Sequence, residues 1–277
     1  MHWPQVISVA MFTPVNDEAR SEARMTTILI TGATGTVGSQ VARALLDVKA
    51  ADTTIRVATR NPDKVTALTA RGAEAVPLDL EDLPQVRAAL ADVDRVFLVG
   101  PQGDARFGTK VAAVIGAAKE AGVQHLVRLS ASGSDPAQTE HLFGREHGVA
   151  DAALTGSGLG YTIFQPTFFQ DNLFTFQGEA IRGQSAFYGA SAGGKVAYLS
   201  TRDLAEAIAR VLLDPTPHAG EVYTPTGPEA HTDEEVAALL SEVLGRNITY
   251  VEVPLEGMRA SMVERGTPGW IADAMVG

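Results

Sequence analysis

From Thr27 onward, short runs of β-branched and aliphatic residues alternate with longer stretches whose apolar positions recur at helical spacing. Residues 27–31, 54–58, 73–77, 95–99, 125–130 and 161–165 read as six strands. Helical patterns cover 37–49, a short segment after Pro62, 83–90, 105–121 and 141–155. Strands this apolar need cover on both faces, and the strict strand–helix alternation supplies it, so the pattern predicts an α/β fold with a doubly wound parallel sheet. After Pro166 the rhythm weakens. Gly and Ser concentrate in 183–194, and two further helices stand out, at 201–213 and 232–244.

In such sheets ligands bind at the carboxyl ends of the strands, which directs attention to 32–38, 59–64, 79–80, 99–103, 130–134 and 166–172. The first of these holds Gly32-Ala-Thr-Gly35-Thr-Val-Gly38, set between a strand and an amphipathic helix. Gly32 suits a sharp turn, Gly35 leaves the backbone bare, and Gly38 lets the helix pack close to the sheet. Free N–H groups at the helix start, with the positive dipole end, then offer a seat for a pyrophosphate. The spacing is Gly-x-x-Gly-x-x-Gly rather than Gly-x-Gly-x-x-Gly. A tight strand-to-helix turn is the plainer explanation of three glycines, but the flanking strand and helix favour a Rossmann-type dinucleotide site. Thr34, Thr36 and Val37 complete that loop.

The second strand ends in Ala58-Thr59-Arg60-Asn61-Pro62-Asp63-Lys64, with no acid at its tip to accept from a ribose 2′-hydroxyl. Arg60 and Lys64 stand where a 2′-phosphate would lie, and a guanidinium matches phosphate geometry. Two solvated basic residues at a helix start are the alternative. In a chain this acidic the pair points to NADP, as NADPH, in preference to NAD. Asp79 accepts from the adenine amino group with Leu80 against the ring, or else caps the next helix, a task for which Asp82 is better placed. Val99, Gly100, Ser130 and Pro166 border the same edge of the sheet and are expected to line the cofactor.

The 277 residues suffice for one large or two intimate domains. A net charge of −11 argues against nucleic acid as a partner, since phosphates need clustered Lys and Arg. With no cysteine, disulfides, thiolate metal sites and cysteine nucleophiles are excluded, which fits a cytoplasmic setting. No metal site is expected. No apolar run approaches the ~20 residues of a membrane span. Residues 1–24 read as a loose extension ahead of a fold that starts at Met25. Pro4 interrupts the apolar stretch, and no basic region precedes it to make a signal peptide. The expected organisation is therefore this extension, a nucleotide-binding domain over 25–166, and a small α/β region over 167–277 that closes on the cofactor and shapes a substrate pocket.

The glycine loop, Arg60-Asn-Pro-Asp-Lys64, Asp79-Leu80-Glu-Asp82 and Tyr161-Thr-Ile-Phe-Gln-Pro166 together resemble the atypical short-chain dehydrogenase/reductases, and within them the NmrA-like branch. That branch includes NADPH-quinone oxidoreductases, iminium-reducing enzymes and a redox-sensing co-regulator. The Tyr-x-x-x-Lys pair of typical members is missing. Tyr161, Tyr188, Tyr198, Tyr223 and Tyr250 are followed four positions on by Gln165, Ala192, Arg202, Gly227 and Pro254. By the resemblance, Glu146 stands where quinone-reductase relatives carry a lysine near the nicotinamide, and a carboxylate cannot replace an ammonium. Carbonyl reduction by a Tyr–Lys acid is thereby disfavoured.

Hydride transfer to an electrophilic acceptor such as a quinone, imine or conjugated carbonyl survives that loss, because positioning carries much of the catalysis. His147 is the candidate proton donor, with an exposed histidine as its plainer alternative, and Ser132 is a candidate for orienting the substrate. Phe168 and Phe169 offer an apolar wall, with Asn172 beside them, where relatives cover the nicotinamide. The resemblance implies a small-molecule substrate and a monomer or homodimer. A non-catalytic NADP(H)-binding sensor acting through a protein partner is the alternative.

Overall fold

The computed structural model describes residues 25–48, 52–100, 105–137 and 141–276. The expected extension at 1–24 and the end of the first predicted helix at Lys49 lie outside these residues. Among them nine strands occur: β1 (Thr26–Ile30), β2 (Thr53–Thr59), β3 (Glu74–Pro77), β4 (Arg95–Val99), β5 (His125–Leu129), β6 (Gly160–Phe164), β7 (Ala186–Gly189), β8 (Glu221–Tyr223) and β9 (Thr249–Glu252). The helices are α1 (Thr36–Val48), α2 (Thr66–Thr69), α3 (Leu83–Ala89), α4 (Phe107–Glu120), α5 (Leu142–Thr155), α6 (Asp171–Gln184), α7 (Thr201–Leu213), α8 (Asp233–Leu244), α9 (Leu255–Glu264) and α10 (Gly269–Val276). No helix of the described residues is long and apolar enough to cross a membrane.

Seven strands form one parallel sheet in the order β3-β2-β1-β4-β5-β6-β8. The order reverses between β1 and β4, the place where doubly wound sheets open a crevice for a ligand. Ile28, Leu29 and Ile30 of β1 are all buried, because the strand is covered on both faces. On one face Leu29, Leu98, Leu126 and Ile163 pack with Val111 and Ile115 of α4 and Leu154 of α5. On the other, α1 lies against α7, whose Leu204, Ile208 and Val211 are buried.

The described chain forms two compact units. The first takes residues 25–137, 143–166 and 201–225, and the second takes 141–142, 167–200 and 226–276. This departs from a continuous small region over 167–277, because α7 and β8 return to the large sheet. Two interactions hold them there. Arg95 donates to the carbonyls of Leu212 and Leu213 at 2.6 and 2.7 Å. β8 pairs with β6, and Gln165 N donates to Tyr223 O at 2.7 Å. A three-residue strand has no readable periodicity, so the sequence pattern does not announce it.

In the second unit, β7 and β9 form a parallel pair beside α6 and α8. Ile181, Phe187, Val236 and Ile248 are its buried centre. Thr232 and Glu235 cap the start of α8 reciprocally, as the Thr-x-x-Glu spacing requires.

Candidate functional site

The strand-to-helix turn after β1 is built from backbone. Thr31 holds the carboxyl ends of β1 and β4 together, its hydroxyl accepting from Val99 N at 2.8 Å. Gly32 adopts φ +62°, a left-handed conformation that favours glycine, and its carbonyl accepts from Gly35 N at 2.9 Å. A Cβ on Gly38 would lie 2.2 Å from Gly32 O, so α1 reaches this close to the turn only with glycine there. The first intrahelical bond runs from Ser39 N to Gly35 O at 3.1 Å. The amides of Thr36, Val37 and Gly38 therefore have no partner within the helix. Val37 and Gly38 are buried, while Thr34, Gly35 and Thr36 are exposed, leaving the mouth of the turn open. Beside it a Cβ on Gly100 would meet Val111 Cγ2 at 2.8 Å, so the chain after β4 passes α4 without room for a side chain.

At the end of β2, Asn61 Oδ1 accepts from Asp63 N at 3.0 Å and opens a short 3₁₀ turn over Pro62–Val65. Arg60 precedes this turn and Lys64 lies within it, both exposed, and neither side chain has a hydrogen bond or ion pair among the described residues. Asp82 caps α3, accepting from Gln85 N at 3.1 Å. That leaves Asp79 out of the capping role, with its carboxylate accepting from Glu81 N at 3.0 Å. Leu80 is half-buried against the core.

The β5–α5 region differs from expectation. Arg128, the fourth of the five residues of β5, is 1% exposed, and its guanidinium pairs with Asp151 of α5. Asp151 Oδ2 also accepts from Ser130 Oγ at 2.7 Å and from Gln165 Nε2 at 3.0 Å. Ser130 is thus buried in a side-chain network rather than presented at the strand tip. His147 is neither an exposed histidine nor a poised acid. Its Nδ1 lies 3.3 Å from Arg128 Nη2, and its ring meets Phe107 edge-on at 4.8 Å. Burial first, and the Arg128 charge second, push its pKa down to about 3, so it stays neutral at physiological pH.

Glu146 is buried rather than facing open solvent. Its Oε2 accepts from Gly108 N at 3.0 Å, satisfying a free amide in the first turn of α4. Ser132 is exposed, its backbone N tied to Pro166 O at 3.0 Å, and its hydroxyl makes no hydrogen bond among the described residues. The sequence reading missed Arg128, Asp151 and Gln165. A lone charge inside the apolar run His125-Leu-Val-Arg-Leu129 is the signal that marks the first of them.

In the second unit Phe168 is 45% exposed and meets Tyr198 edge-on at 5.8 Å. Phe169 is half-buried and bridges Leu199 through the backbone. Asn172 is half-buried in the first turn of α6.

Several known proteins are similar to this chain in sequence or in fold. The chain is 37% identical over 248 residues to an NAD(P)H azoreductase of Xenophilus azovorans, covering 90% of this chain and 84% of that one. A crystal structure of an NADPH-dependent quinone oxidoreductase of Escherichia coli complexed with NADPH superposes with TM-score 0.79 at 30% identity, covering 90% of this chain and 86% of that one. The triphenylmethane reductase of Citrobacter sp. complexed with NADP(H) gives TM-score 0.78 at 25% identity over 91% and 87% of the two chains. The model of the NmrA-like family matches residues 24–274. With the glycine turn, the parallel sheet and these likenesses on one chain, the protein belongs to the NmrA-like family.

Proposed function

We propose that the protein is an NADPH-dependent oxidoreductase that reduces a small, conjugated, electrophilic acceptor. The observation that carries this reading is the cradle at Gly32–Gly38. Three unpartnered amides, an open mouth and a glycine whose side chain would strike Gly32 O fit a pyrophosphate. Arg60 and Lys64, exposed and unpaired among the described residues, suit a 2′-phosphate, and no acid competes with them for the ribose. Asp79 and Leu80 are assigned to the adenine. NADPH supplies the hydride when bound.

The chain's own part is to bind, orient and exclude. His147 is held neutral, Glu146 caps α4, and Ser130 is engaged by Asp151, so none of these three is offered as the proton source. Ser132, with its free hydroxyl, is the residue assigned to orient the acceptor. Phe168 and Phe169, with Asn172 beside them, all of the second unit, offer an apolar surface of the kind that suits a planar acceptor. An acceptor of quinone, imine or azo type takes hydride without a protein acid, its proton coming from water. The relatives named for azo, quinone and triphenylmethane reduction share that electrophilic, conjugated character. A cytoplasmic setting fits the cysteine-free composition.

The test is NADPH oxidation followed by absorbance with a panel of quinones, azo compounds and conjugated imines. Turnover with at least one class is expected. Tight NADPH binding with no turnover on any acceptor would favour a sensor that signals through a protein partner.

A further inference from the structure

We propose that the second unit carries a binding groove, between α6 and α8, for an amphiphilic monoanion. The groove encloses about 620 Å³. That is the size of a small-molecule site. Its walls are apolar, with Leu173 and Phe174 on α6 facing Leu240 and Val243 on α8. Phe174 and Val243 are 68% and 82% exposed, an unusual placement for two large apolar side chains on facing helices.

The ends of the groove are unlike. α8 spans 12 residues, and so about 18 Å, which sets their separation. At its amino end stand Glu229 and His231, 3.8 Å apart. At its carboxyl end lie Arg182 and Arg246. Arg246 is engaged, donating to Ile181 O at 2.5 Å and to Ser185. Arg182 has no hydrogen bond or ion pair among the described residues.

A second observation places that cation in the groove. Gly178 sits in mid-helix, where glycine costs about 1 kcal/mol relative to alanine. Its φ is not left-handed, so no backbone conformation demands it. A Cβ there would lie 3.4 Å from Arg182 Nη1, an ordinary contact distance, so the guanidinium lies over Gly178 on the floor of the groove. The result is an apolar trough with an uncommitted guanidinium at one end and an acid at the other. An anionic head group at Arg182 with an apolar tail toward Leu173 matches both ends. The reverse orientation would bring the anion to Glu229.

The experiment is titration calorimetry of the full chain with decanoate, decanol and decyltrimethylammonium, each below its aggregation concentration. Decanoate is expected to bind one per chain, at least tenfold more tightly than decanol, and the cationic analogue not at all. Arg182→Ala should weaken decanoate about tenfold or more and leave decanol unchanged. Gly178→Leu, a change that favours the helix, should weaken both ligands by filling the trough. Far-ultraviolet circular dichroism and urea unfolding, read separately, should be unchanged in both variants and report that the second unit is folded. Equal affinity for decanoate and decanol, or decanoate binding insensitive to Arg182→Ala, would overturn the proposal. So would concentration-dependent dimerisation, by sedimentation, that Val243→Lys abolishes, since the groove would then be a face for a second copy.

Discussion

The glycine turn after β1 and the Arg128–Asp151 network between β5 and α5 use polar groups in opposite ways within the same unit. At Gly32–Gly38 the amides of Thr36, Val37 and Gly38 are left without partners among the described residues, and the mouth is open. Around Arg128 nearly every titratable group is engaged by another: Asp151 by Arg128, Ser130 and Gln165, and His147 by Arg128. Among the buried side-chain nitrogens and oxygens of the described residues, only Arg128 Nε has no hydrogen-bond partner. Unpartnered amides at a helix start are suited to receiving an anion. A charge surrounded by its own hydrogen bonds holds geometry, and its removal is costly because a buried partner is left behind. The first region leaves donors open to a ligand, and the second spends its polar groups on one another.

The sharpest way to break that contrast is Asp151→Ala. It leaves Arg128 buried and uncompensated, and a loss of about 3–5 kcal/mol in urea unfolding is expected. Arg128→Met with Asp151→Leu should restore most of it. A loss under about 1 kcal/mol for Asp151→Ala would show that the network does not hold the fold.

The binding region should respond in the reverse manner. Gly35→Val puts a side chain at the open mouth, where the nearest atom, Gly32 O, is 3.3 Å from the Cβ position. It should remove the whole NADPH-dependent thermal stabilisation, about 2.7 kcal/mol at a hundredfold excess over Kd, with little change in the unliganded Tm. Gly38→Val, by contrast, should lower the unliganded Tm itself, because the Cβ position lies 2.2 Å from Gly32 O.

Arg60→Ala should weaken NADPH about ten- to hundredfold by calorimetry and leave NADH nearly unchanged, since only NADPH carries the phosphate. Equal losses for both nucleotides would remove Arg60 from the phosphate site.

The buried histidines add a pH dependence. His125 is pushed down to about 4, chiefly by burial and then by Arg95 and His218, and His147 to about 3. The folded protein refuses protons that the unfolded chain takes up below pH 6.5. Their contribution is therefore full above that pH and falls as acid is added, until each folded-state value is reached. Between pH 6 and 5 each should lower unfolding stability by at most about 1.4 kcal/mol. His147→Gln should flatten the slope in urea titrations.

The smallest effect expected is on turnover. His147→Gln should change kcat by less than the ~10²-fold or more that follows loss of a general acid. Loss of an ionisation near pH 6.5 from the rate profile would reinstate His147 as proton donor.

The fold class was legible because short continuous apolar runs and period-3.6 helices report burial directly. β4 falls on the predicted residues 95–99, and α7 on 201–213. The glycine turn was legible because its chemistry is local, with seven consecutive residues carrying the turn, the close approach and the helix start. Sequence alone also decided that the Tyr-x-x-x-Lys spacing is missing, since a local spacing needs no coordinates. What tertiary structure decided were matters of pairing between distant segments. β8 is three residues long and becomes a strand only by joining β6 across 58 intervening positions of register, from Ile163 to Val222. Glu146 and His147 looked like site residues because neighbouring sequence cannot say what lies across a helix. Packing gave one to Gly108 N and the other to Arg128. Local patterns set which segments fold and which backbone stays bare, whereas the protonation and availability of a side chain depend on desolvation and on charges brought near only by the fold.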